Sequence, residues 1–82
     1  MQEDILQYLI TEVLGEEPGY DLDVEDDLLG SGLVSSMGIF RVINFIEKTY
    51  GFKVPPGDMI IDNFISVAAI SRYVENQRSA AR

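Results

Sequence analysis

Apolar positions fall into three helical runs separated by stretches of breakers and acids. From Gln2 to Leu14, the residues Ile5, Leu6, Leu9, Ile10, Val13 and Leu14 recur at i, i+4, i+5 and i+8, one stripe of a helix. Gly15 and Pro18 end it, because glycine accepts the left-handed cap and proline cannot continue the hydrogen-bond ladder. Residues 16–34 form a long connection in which Leu22, Val24, Leu28 and Leu29 are placed to pin the chain to a core while the carboxylates between them face water. Ser35-Ser36 can cap a second helix that runs to about Tyr50 and stops at Gly51. On that helix Ile39, Val42, Ile43, Ile46 and Tyr50 make a core face, whereas Met37, Phe40 and Phe45 point elsewhere, so it either sits centrally or shows apolar surface to a partner. Val54-Pro55-Pro56-Gly57 reads as a turn, and Asp58 as the N-cap of a short third helix reaching about Asn63. Ser66 caps a fourth helix, whose Val67, Ile70, Tyr73 and Val74 repeat at three and four. No segment alternates with period two. The expected fold class is all-α, a small four-helix bundle of three longer helices and a short third one. It forms a single domain over residues 1–77, with a frayed tail at 78–82.

Composition removes most chemistry from consideration. The 82 residues hold no cysteine and no histidine, so disulfides, the usual zinc sites, thiolate nucleophiles and Ser-His-Asp triads have no raw material. The net charge of −8 repels phosphate backbones and anionic lipid headgroups, which excludes nucleic acid and membrane surfaces as expected partners. At 46% apolar the chain should nevertheless fold, and as a monomer. The charge is patterned: residues 1–40 carry ten acids and no base, and residues 41–82 carry four acids beside all six bases. With no targeting segment at its start and no apolar run near the roughly 18 residues of a membrane helix, the expected location is the cytoplasm. The acidic run from Asp21 to Asp27 has spaced oxygens like a calcium loop, but counting Asp21 as the first position puts Asp26 where such a loop needs glycine and Gly32 where it needs glutamate. It reads as a solvated loop, and no metal site is expected.

Several spaced elements together resemble the acyl and peptidyl carrier proteins over nearly the whole chain. They are Asp27-Leu28-Leu29, Gly32-Leu33-Val34-Ser35-Ser36-Met37, Glu47 before Tyr50-Gly51, Val54-Pro55, and Ile65-Ser66-Val67 opening the last helix. The resemblance implies a non-enzymatic carrier with 4'-phosphopantetheine attached through a phosphodiester to Ser36, the serine that keeps the family distance to Glu47 and Pro55. On that arm an acyl or aminoacyl group would ride as a thioester. Implied partners are a phosphopantetheinyl transferase, an acyl- or aminoacyl-activating ligase, and a downstream acyltransferase or synthase. The family motif is Asp-Ser-Leu, and this chain has Ser35-Ser36-Met37, which removes a carboxylate from the surface a transferase reads. The second helix carries Arg41 and, as its acid, only Glu47, where fatty-acid carriers show several acids. The pattern around Gly32-Leu33, Val54-Pro55-Pro56 and Asp62-Asn63-Phe64 is similar to stand-alone carriers such as the D-alanyl carrier protein.

Plainer readings stand beside these. Ser36 can be an N-cap and nothing more, and Ser35 competes with it for both the cap and the attachment. Met37 and Phe40 can be core. The alternative is that, with Arg41 and Asn44, they form a stripe at i+1, i+4, i+5 and i+8 from Ser36 and, together with Ser35, meet partner enzymes. The rival function is a helical protein-interaction adaptor with the same fold that is never modified.

Overall fold

In the computed structural model, which describes residues 1–80, four helices appear in the expected order. Helix α1 spans Gln2–Tyr8 and continues through a wider, π-type turn over Leu9–Val13, where the Leu14 amide donates to the Leu9 carbonyl at 2.9 Å. Helix α2 spans Ser36–Tyr50, α3 is the single turn Ile61–Phe64, and α4 spans Val67–Ala80. Among the described residues there is no strand. The expected tail from residue 78 is helical as far as Ala80, and residues 81 and 82 lie outside the described residues.

The core forms where the helical stripes meet. Ile5, Leu9 and Ile10 of α1, Val42, Ile43 and Ile46 of α2, and Val67, Ile70 and Val74 of α4 are buried together. Phe45, off the core stripe of α2, stacks on Tyr8 of α1 with ring centroids 4.2 Å apart. The connection between α1 and α2 is long but tied down, since Leu22 and Leu28 are buried and Leu28 donates its amide to the Ile65 carbonyl at 2.7 Å. The Val24 carbonyl accepts from the Ala68 amide at 2.9 Å, so this connection also closes an open donor at the start of α4. Ser66 caps α4 as the sequence predicts, its Oγ accepting from the Ala69 amide at 3.1 Å.

Two details of α2 position the next part of the chain. Gly51 ends the helix at φ 74°, a left-handed conformation that an L side chain resists. Glu47 turns inward, its Oε2 accepting from the Val54 amide at 2.8 Å, and thereby fixes the segment that leads to α3.

The third helix departs from expectation. Pro56–Asp58 make a tight 3-10 turn, and α3 starts only at Ile61, after Ile60. Asp58 is therefore not an N-cap. Its Oδ2 accepts instead from the Tyr73 hydroxyl at 2.7 Å and from Gln77 Nε2 at 3.3 Å, both on α4. A charge-assisted bond to a fixed phenol outweighs a local cap on a four-residue helix. Burial, reinforced by the hydrogen bond and charge of Asp58, raises the Tyr73 hydroxyl above the usual phenol range, so it stays a donor.

Candidate functional site

The loop before α2 is shaped by its own polar groups. Asp27 Oδ1 accepts from the Gly30 amide at 2.7 Å, Ser31 Oγ donates to the Asp27 carbonyl, and Leu33 donates its amide to Ser31 Oγ at 3.2 Å. Gly32 turns the chain at φ 78°, which explains glycine there. Val34 then buries its side chain and donates its amide to the Leu28 carbonyl at 2.9 Å. Between that anchor and the buried Ile39, the two serines are held at the surface.

The two serines differ in the capping role that the sequence leaves open between them. Ser35 is extended at φ −82°, ψ 171°, and its Oγ accepts from the Gly38 amide at 3.3 Å, which makes it the N-cap. Ser36 is the first helical residue and is exposed. Among the described residues its hydroxyl has no hydrogen-bond partner, while Ser35 performs the capping that an aspartate would perform there.

Beside Ser36 an apolar cleft of about 180 Å³ opens between α2 and α3. Its inner wall is Leu29, Ile39, Ile43 and Phe64, and its rim is Phe40, Met59, Ile60 and Ile61. Among the described residues no ionisable side chain lines it. On the other side of α2 a second groove runs past Val13, Leu33, Met37 and Arg41. Of the seven large apolar side chains exposed among the described residues, six border these two depressions, and only Tyr20 lies elsewhere.

Met37 and Phe40 are 73% and 51% exposed, so the core reading does not hold for either. The expected stripe is split. Phe40 joins Ser36 on the cleft, Met37, Arg41 and Ser35 border the groove, and Asn44 is exposed but lines neither. Met59, Ile60 and Ile61 are absent from the sequence-based site. Their signal was three consecutive apolar residues after a Pro-Pro-Gly turn, more than a one-turn helix can bury on one face.

Two carboxylates in the acidic loop bond its backbone, Asp26 accepting from the Asp23 amide and Asp23 from the Glu25 amide at 2.9 and 2.8 Å. Among the described residues no group of three or more Asp and Glu side chains is arranged to hold a metal ion. Nor is any helix there long and apolar enough to cross a membrane.

The family described as the phosphopantetheine attachment site matches residues 4–74. No curated protein matches the chain. Members of that family carry 4'-phosphopantetheine covalently on a serine, are served by a phosphopantetheinyl transferase and biosynthetic enzymes, and are carriers, not catalysts. The start of α2 fits such a group. It offers an exposed hydroxyl without an internal partner, the open amide end of a 15-residue helix to receive a phosphate, and an apolar cleft beginning at the same residue. With the match spanning most of its length, the chain belongs to the phosphopantetheine-attachment family of acyl and peptidyl carrier domains.

Proposed function

We propose that the arm is attached to Ser36 and that the cargo is an acyl group whose apolar part rests in the cleft between α2 and α3. The observation that carries the attachment is the division between the two serines: Ser35 caps α2, and Ser36 is left exposed with a free hydroxyl at the cleft mouth. Bound there, the arm supplies the thiol that this cysteine-free chain lacks. The chain's own residues orient and shelter. Amides in the first turn of α2 favour a phosphate on Ser36, and Leu29, Ile39, Ile43 and Phe64 exclude water from an apolar chain. Among the described residues Ser36 is the one polar side chain on the cleft, which favours a plain acyl chain over an aminoacyl group carrying a charged amine.

Enzymes that load or unload the arm must approach Ser36, so we place their contact on the exposed Met37, Phe40, Arg41 and Asn44, with Ser35 at its edge. Partners of this kind are the transferase, an acyl-activating ligase and a downstream acyltransferase or synthase. Incubation with coenzyme A and a broad-specificity transferase tests the attachment by intact mass. The native chain and Ser35→Ala gain one phosphopantetheine, and Ser36→Ala gains none. A gain on Ser36→Ala, or none on the native chain, overturns the assignment, the second result in favour of an unmodified adaptor.

A further inference from the structure

We propose that Tyr73 and Gln77 of α4, acting through the Asp58 carboxylate, clasp the Met59–Ile61 wall of the cleft in place and so set how well the cleft shelters a carried chain. The sheltering half rests on the cargo reading above; the clasp itself does not.

That wall has little else to hold it. Met59, Ile60 and Ile61 are 40%, 51% and 64% exposed, so their burial contributes little. Helix α3 is one turn long, too short to be stable by itself, and its buried anchor is Phe64. Beside the Met59–Pro56 and Asn63–Ile60 backbone bonds, the remaining ties converge on Asp58. Its amide donates to the Pro55 carbonyl at 2.9 Å, and its carbonyl accepts from the Ile60 amide at 2.9 Å and from Asn63 Nδ2 at 2.8 Å. Its carboxylate receives the Tyr73 hydroxyl at 2.7 Å, a short charge-assisted bond, and the longer bond from Gln77.

Tyr73 is suited to the task because it cannot drift. It is a buried residue of α4, and its ring lies against Phe64 and Phe52, with centroids 5.5 and 6.1 Å away. Phe64 also lines the cleft, so one tyrosine braces the inner wall by ring packing and the outer wall by its hydroxyl. Asp58 is a positioning residue here, since it does not itself line the cleft.

Two measurements test this. In the unloaded protein, amide hydrogen exchange is followed at Met59, Ile60 and Asn63, whose amides are bonded to the Pro56, Asp58 and Ile60 carbonyls. Tyr73→Phe, which keeps the ring, and Asp58→Ala should each speed exchange there about tenfold without changing Val42 and Ile46, whereas Asp58→Asn, which still accepts, should stay within about twofold of native. In the second measurement an octanoyl-pantetheine arm is installed from octanoyl-coenzyme A, and its thioester should hydrolyse several-fold faster on Tyr73→Phe than on the native chain. Unchanged exchange at the three amides overturns the clasp, as does acceleration spread equally to Val42 and Ile46. Local acceleration with equal hydrolysis rates overturns the sheltering role. If the native thioester hydrolyses as fast as free octanoyl-pantetheine, the cargo reading falls and sheltering with it, while the exchange comparison still decides the clasp.

Discussion

At residue scale, neighbouring serines with one chemistry have different environments. Ser35 Oγ satisfies an open helix amide, and Ser36 Oγ does not. Ser35→Ala should therefore lower unfolding stability by about 1 kcal/mol, while Ser36→Ala, at an exposed position, should stay within about 0.5 kcal/mol of native. Denaturant titration of both variants reads this directly. Gly38, two residues on, is required by contact. A Cβ there would sit 2.8 Å from Val34 Cγ1 and 3.0 Å from Val13 Cγ1. Both neighbours are stiff β-branched side chains and Val34 is buried, so neither yields easily. Gly38→Ala gains about 1 kcal/mol of helix propensity but adds about 1–3 kcal/mol of overpacking. The expected net is a lower melting temperature; a higher one would show that the α1–α2 contact has slack.

At the scale of elements, α2 differs from an acidic docking helix because its acid is turned inward. Glu47 holds the Val54 amide, so the charges left exposed on α2 are the cations Arg41 and Lys48. Contact with partners there should combine burial of Met37 and Phe40 with a carboxylate on the partner opposite Arg41. Arg41→Glu should slow loading by the native partner several-fold while shifting stability by less than about 0.5 kcal/mol; loading at the native rate would remove Arg41 from the contact. On α4, the raised pKa of Tyr73 makes its contribution dependent on pH. The proton is held more tightly in the folded chain, so the contribution is complete below a pH of about 10 and is lost as pH rises beyond it. Native melting temperature should fall more steeply than that of Tyr73→Phe in this alkaline range, and parallel curves would contradict it.

At whole-molecule scale the dominant feature is the charge of −8, with ten acids and no base in residues 1–40. Principal extents are 36 × 21 × 19 Å, while the screening length falls from about 30 Å at 0.01 M salt to about 8 Å at 0.15 M. Like charges that interact across the whole molecule at low salt are thus screened from one another at moderate salt. Sodium chloride over that range should raise the melting temperature, and magnesium should do so at lower concentration. A flat response would mean that the turn bonds of Asp23, Asp26 and Asp27 already relieve the repulsion.

What the sequence determined by itself is whatever depends on local period and local caps. The stripes of α1, α2 and α4, the stops at Gly15 and Gly51, the cap at Ser66 and the spacing around Ser36 are carried by residues within a few positions of one another. So was the family resemblance, which is a matter of spacing. The tertiary structure decided where distant segments compete for the same groups. Asp58 was legible as a cap but pairs with Tyr73, fifteen positions away, and the start of α3 moves to Ile61. Exposure of Phe40 depended on how closely α3 approaches α2, and that of Met37 on how closely Val13 and Leu33 approach it, because a helical period says which residues leave the core stripe but not whether a neighbour covers them. Which of Ser35 and Ser36 caps α2 depended on where the Leu28–Val34 anchor sets the first turn of the helix, which only the folded chain fixes.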